Sequence, residues 1–458
     1  MLPQTSEAVI ASGQSAAAAS FSPQSAPKPR AVSGPVLLLF AVITLVKLWI
    51  AWRFAGTIEV DQMRHQAEAF MAGADVLDRA STLGNPSFFP MGHYGLVSSC
   101  WLLANATGLP FAWLIKLPAI FADVLIATLL CTLSRSAVPL RDFRASEDGA
   151  GAVPRDVCPS RDFRASEDGA GAVPRGNARL AAAYLLNPVT ILLSAYHGQP
   201  HTVAVAFAVL AFWAADWERP ALAGAALALA ASIRQHFAIL ALPLLGPLKR
   251  RWAVMFATLI GLGVVVNLPL LSFGQPSRVL APTWTYGSWG YTMLLVQGPR
   301  LLTLAGLTRL ASAADALNRA IQTIAPAIYL AWAAAFVLWT ARRLLRRTLD
   351  PWRAALLFLI GLYALAPGFG IQWLLWAVPF WLVVEFREGL LYSWLAGAFL
   401  AGSYWQWSLN AKYGVYSITA NLQLLSRPDL LGVVAIGGLG CLLWMLSLRT
   451  AWRLIRRP

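Results

Sequence analysis

Charge is what this chain has least of. Asp, Glu, Lys and Arg make up 12% of its 458 residues and hydrophobic residues 58%, whereas a soluble domain carries roughly a quarter charged residues. A water-soluble fold of this length cannot hide so much apolar surface, which excludes a soluble enzyme or binding module. Cysteine is nearly missing: Cys100, Cys131, Cys158 and Cys441 are scattered, with no Cys-x-x-Cys. A disulfide framework and a thiolate metal site are therefore excluded. Neither a P-loop nor a Gly-x-Gly-x-x-Gly turn occurs, so nothing supports a soluble nucleotide cofactor.

What the chain has instead is apolar runs long enough to be read against the ~20 residues that carry a helix across ~30 Å of hydrocarbon. They fall near 35–54, 112–133, 180–196, 201–217, 220–233 with 237–248, 252–272, 323–345, 353–369, 372–386, 390–408 and 430–451. The fold class expected is an all-α polytopic membrane protein with about 12 transmembrane helices. The net charge of +15 does not point to a nucleic-acid partner. Its arginines and lysines sit in blocks at span ends (Lys249-Arg250-Arg251, Arg342-Arg343, Arg346-Arg347, Arg456-Arg457), as the positive-inside rule requires.

These blocks divide the chain into a disordered cytoplasmic tail at 1–33, a transmembrane domain at 34–451 and a basic cytoplasmic tail at 452–458, with both termini inside. Residues 56–110 and 273–321 become extracytoplasmic loops, the first carrying short interfacial helices at 61–73 and 93–108. Residues 134–179 become a cytoplasmic loop, in which "RDFRASEDGAGAVPR" occurs identically at 141–155 and 161–175. Two identical copies in a polar loop read as a tolerated duplication, so that deleting one leaves activity intact.

In this topology all five histidines (His65, His93, His197, His201, His236) lie on the outer side. Polar groups at membrane depth are costly unless they line a cavity or meet partners. Three outer tips are therefore expected to face one cavity: Glu59-Val60-Asp61, His197-Gly198-Gln199-Pro200-His201, and Arg234-Gln235-His236. The Glu59/Asp61 pair suits a general base, a divalent-cation site for Mg or Mn, or a topological marker. The loop "TWTYGSWGY" offers Trp284 and Tyr286, with Arg300 nearby, either to the interfacial aromatic belt or to sugar stacking. Of the in-span charges, Lys47 and Lys116 are expected to snorkel, and Asp123 has no obvious partner.

The order of these pieces resembles the GT-C superfamily of integral-membrane glycosyltransferases. An acidic-x-acidic motif follows the first span, then come "SFFPMGHYGLVSSCWLLANATGLP", "LLNPVTILLSAYHGQPHTVAVAF", "ALALAASIRQHFAILALPLL" and "GFGIQWLLWAVPFWLV". The chain is similar over most of 35–390 to mannosyltransferases that use a polyprenyl-phosphate sugar, among them the first mannosyltransferase of GPI-anchor synthesis and its bacterial relatives. The resemblance implies transfer of a hexose, mannose favoured, from a lipid-linked donor to a lipid-linked or glycan acceptor. It implies Asp61 as general base with Glu59 beside it, and His197, Gln199, His201, Arg234, Gln235, His236 and Gln372 as substrate-binding residues. A lipid or sugar transporter or flippase is the alternative, and a bacterial inner membrane is the expected setting.

Overall fold

The computed structural model describes residues 34–74, 89–133, 175–272, 291–365, 370–415, 418 and 421–456. The 1–33 tail, the duplicated segment, Trp284 and Tyr286 lie outside these residues. Among the described residues every regular element is helical. Five helices are long and apolar enough to cross a membrane: Gly34–Arg53, Phe111–Cys131, Leu245–Leu270, Ala327–Leu345 and Arg427–Arg456. Counting the bent pair Ala178–Leu185 and Pro188–His197 as one span gives six. Among the described residues the expected twelve are not reached: Phe386–Lys412, at 27 residues, is long enough but too polar, and four apolar helices are too short. His201–Asp216, Pro220–Ile233, Pro351–Leu365 and Ile371–Val384 are apolar, but at 1.5 Å per residue the 16 residues of His201–Asp216 rise only about 24 Å.

The first loop folds as its sequence suggested, into helices Ile58–Met71 and Met91–Thr107. Residues up to 321 were expected to stay outside the spans and do lie outside the candidate span Ala327–Leu345, but from Thr308 they are helical, part of one continuous helix of 38 residues, Thr308–Leu345. The Ala-rich stretch "TRLASAADALNRAIQ" explains this, since Ala, Leu, Arg and Gln all favour helix whatever their polarity.

At the centre lie His201–Asp216 and Pro220–Ile233, both built largely of alanine. Small side chains let backbones approach closely, which drives packing where lipid removes the hydrophobic term. A Cβ on Gly224 would sit 2.2 Å from the Met255 carbonyl oxygen, so the Trp252–Asn267 helix lies directly against that glycine. Between spans, Lys47 does not snorkel and Asp123 is not alone. Lys47 Nζ lies 2.6 Å from Asp123 Oδ2 and 3.1 Å from Thr190 Oγ1, and the Tyr184 hydroxyl donates to Asp123 Oδ1 at 2.9 Å. Both charged side chains are essentially unexposed. Burying an unpaired charge would cost far more than pairing it, so each makes the other tolerable.

The bend in the 178–197 pair is 44° and has a local cause. Asn187 caps the following turn, its side chain accepting from Val189 N–H at 2.9 Å, and Pro188 takes the first helical position, where its missing N–H costs nothing. The chain then runs through a π-helix, Ile191–His197, which ends at Gly198 with φ +79°.

Candidate functional site

Glu59 enters the bundle because the end of the first span is tied down. Lys116, expected to snorkel, is instead buried and donates to the carbonyls of Ala51 and Phe54, groups that a helix C-terminus leaves without intrahelical partners. A Cβ at Gly198 would meet Lys116 Cγ at 2.8 Å, and one at Gly56 would meet the Tyr196 carbonyl at the same distance. Both glycines have positive φ, so a side chain at either would be strained and would push the two segments apart. The result places Glu59 against the end of the π-helix.

There its carboxylate accepts from His197 Nε2 at 2.9 Å, from Gln372 Nε2 at 3.0 and 3.1 Å, and from Gln199. Thr57 Oγ1 meets the other ring nitrogen of His197 at 3.0 Å, and Tyr404 stacks on that ring with centroids 5.4 Å apart. Burial alone would raise the Glu59 pKa. The His197 ring and the two amides outweigh it and hold the carboxyl below its usual value, by hydrogen bonding to the charged form.

A second group lies alongside. Arg234 occupies the break between Pro220–Ile233 and the short 3₁₀ helix Gln235–Ala241, where its extended backbone turns a buried side chain inward. Its guanidinium reaches His201 Nε2 at 3.0 Å, His93 Nδ1 at 3.2 Å and Gln199 Oε1 at 3.5 Å, and it lies 4.0 Å from the Phe89 ring centroid. Trp376 Nε1–H donates to His201 Nδ1 at 2.9 Å. An imidazole offers at most one lone-pair nitrogen, so His201 cannot accept from both Trp376 and Arg234. His236 packs against Trp373 and Trp376, and among the described residues its Nδ1 is buried with no hydrogen-bond partner. Burial first, and then the Arg234 charge, lower the pKa of His93 well below its usual value and that of His236 to about 4.

Gln199 joins the two groups, touching Glu59 and Arg234. The structure thus brings together Glu59, His197, Gln199, His201, Arg234, His236 and Gln372, with Gln235 next to them in the chain. Asp61 is not among them. Its side chain is 70% exposed and faces Arg64 at 3.9 Å, because residues two apart on a helix point to different sides. Arg300 sits on the Tyr291–Leu304 helix, where burial lowers its pKa against the supporting charge of Asp315. Among the described residues no three His, Cys, Asp or Glu side chains are placed to hold a metal ion. Sequence reasoning missed Trp376 and Lys116 as builders of the site: Trp376 carried no signal that set it apart from other span residues, and the in-span charge of Lys116 was read as one that snorkels.

A family model described as GPI transamidase subunit PIG-U matches residues 95–381. No curated protein matches the chain. The matched stretch spans more than half of the chain and includes His197, Gln199, His201, Arg234, His236 and Gln372, while Thr57, Glu59, His93 and Tyr404 lie outside it. It overturns the GT-C resemblance, the mannosyl- or hexosyltransferase activity drawn from it, and the transporter alternative. The features that carried the resemblance explain the error. An acidic pair after a first span, an Asn-Pro bend and a Gln-Trp turn are ways of setting polar groups at a membrane surface, and they do not by themselves specify sugar transfer.

Proposed function

The chain belongs to the family of the GPI transamidase subunit PIG-U, and from that premise we propose that it serves as a polytopic membrane subunit of a transamidase-type complex, holding the phosphate-bearing head of a lipid substrate for its partners. The observation that carries this reading is the convergence of buried donors on His201. Trp376 N–H and the Arg234 guanidinium converge on one ring, with His236 Nδ1 close by. A phosphate oxygen entering there would accept from these groups, and guanidinium–phosphate contacts are among the stronger hydrogen bonds available to a protein. Glu59, with Gln199 and Gln372 around it, offers acceptors and amides to hydroxyl groups on the same head.

In this reading the Lys249–Arg251 and Arg342–Arg347 blocks keep the termini cytoplasmic, and the cluster faces the opposite side. The family match carries no support for a bacterial inner membrane. The reading needs no catalytic base, metal or sugar donor in this chain.

The test is native mass spectrometry of the purified chain with dioctanoyl phosphatidylinositol and, separately, dioctanoylglycerol. Retention of the phosphate-bearing lipid, weakened at least tenfold by Arg234→Gln, is the expected result. Equal retention of both lipids, or retention unchanged by the substitution, would overturn the assignment.

A further inference from the structure

A cavity lies at the other end of the bundle from the polar cluster. It has a volume of about 930 Å³ and is lined by Leu245, Trp252, Phe256 and Leu344, with Lys249 and Arg347 supplying its charge. The Trp252–Asn267 helix runs from this cavity toward the polar cluster, where Asn267 accepts from Met91 N–H and donates to Ser232. Its 16 residues put roughly 24 Å between the two places.

The two cations stand where the backbone asks for glycine. Arg347 has φ +56° and closes the 308–345 helix in a Schellman turn, with Arg347 N–H bonding to the Leu344 carbonyl and Thr348 N–H to the Arg343 carbonyl, both at 3.0 Å. Glycine is the usual residue at that position because it alone takes the left-handed conformation without strain. Lys249 has φ +48° and ψ −121°, a combination that is costlier still for a residue with a Cβ. Neither side chain has a hydrogen-bond or ion-pair partner among the described residues. The surroundings are apolar and open: Trp252 is about half exposed and Leu345 almost wholly so, Leu345 ending one candidate span and Trp252 lying within another, Leu245–Leu270.

We propose that this cavity binds an anionic glycerophospholipid of the surrounding leaflet, with Lys249 and Arg347 on its headgroup phosphate and Leu245, Trp252, Phe256 and Leu344 along an acyl chain. The charge chooses the occupant. A zwitterionic lipid carries its own compensating ammonium, and a soluble anion leaves the apolar walls uncovered. The reading is independent of the polar cluster, and Arg234→Gln does not affect it.

The experiment places the full chain in nanodiscs of mixed phosphatidylcholine and phosphatidylserine, extracts it into detergent, and measures co-retained lipid by native mass spectrometry. The parent retains phosphatidylserine preferentially. Lys249→Gly with Arg347→Gly removes both cations while relieving both strained positions, so this protein melts no lower than the parent yet binds phosphatidylserine on the order of 30-fold more weakly, about fivefold per cation. Gly246→Leu, which keeps both charges, extends from a Cβ that would lie 3.8 Å from Leu344 and Leu349 and fills the cavity, with a comparable loss. Equal retention of the two lipids, phosphatidylserine binding unchanged in the double variant, or displacement of the lipid by inorganic phosphate would each overturn the proposal.

Discussion

Replacing Lys47 by Met asks whether the buried ion pair holds the first span in place. The substitution keeps the length of the side chain and removes its charge, leaving Asp123 with the Tyr184 hydroxyl as its remaining partner among those described. Removing one member of a buried pair costs about 3–5 kcal/mol, because the other stays charged and desolvated. Asp123→Leu strands Lys47 in the same way, with only the Thr190 hydroxyl still near it. The double variant removes both charges and restores an apolar contact, so its loss is expected at about 1–2 kcal/mol, well below the sum of the singles. The coupling energy is then about 4–9 kcal/mol, far above the ~0.6 kcal/mol typical of interhelical hydrogen bonds in bilayers. SDS-titrated unfolding in mixed micelles, followed by tryptophan fluorescence, measures all four corners of the cycle. Singles costing under about 1 kcal/mol and adding in the double would refute the reasoning, since water or lipid headgroups must then reach the pair.

Glu59 and Asp61 separate in the same assay: Glu59→Ala leaves His197, Gln199 and Gln372 without their shared acceptor and costs about 3 kcal/mol, while Asp61→Ala stays within ~0.5 kcal/mol. Acid should destabilise the protein in a defined window. Unfolded His236 takes up a proton near 6.5 and the folded form only near 4, so the unfolded state binds more protons between those values and stability falls as pH drops. At pH 5 the loss from this residue is about 2 kcal/mol, and melting curves of His236→Phe should lack that share of the decline. Gly224→Ala forces a methyl group onto the Met255 carbonyl and should cost at least ~2 kcal/mol, visible as a lowered melting temperature.

The class of the fold was legible because composition and run length answer directly to the bilayer. Helix ends were legible where a specific residue sets them, as at Arg53 and the Arg234 break, whereas the bend at Asn187-Pro188 falls inside a run, 180–196, read as one span. The count of spans was not, because a run such as 201–217 is apolar whether it crosses the bilayer or lies within the protein. Three outer tips were expected to share a cavity, and their side chains do meet. Which acid meets them was misjudged: Glu59 and Asp61 are equally acidic in sequence, and only the orientation of the 58–71 helix turns one inward. The Lys47–Asp123 pair was invisible for another reason. Its members are 76 residues apart, and no local pattern records a contact of that range.

The π-helix at Ile191–His197 carries a consequence for how this protein can change. A wide turn of this kind holds one more residue than an α-helical turn covering the same rise. That extra residue behaves as an insertion the helix has absorbed without breaking. Deleting one residue from the wide turn would let the helix close to ordinary geometry and leave the side chains beyond it near their places, so His197 would still reach Glu59. A second deletion would find no wide turn to absorb it: every side chain beyond would swing by about 100° about the axis, His197 would leave Glu59, and Gln199 would cease to bridge the two halves of the cluster. The cluster's composition is therefore only half of its specification; the other half is a count of backbone units upstream of it.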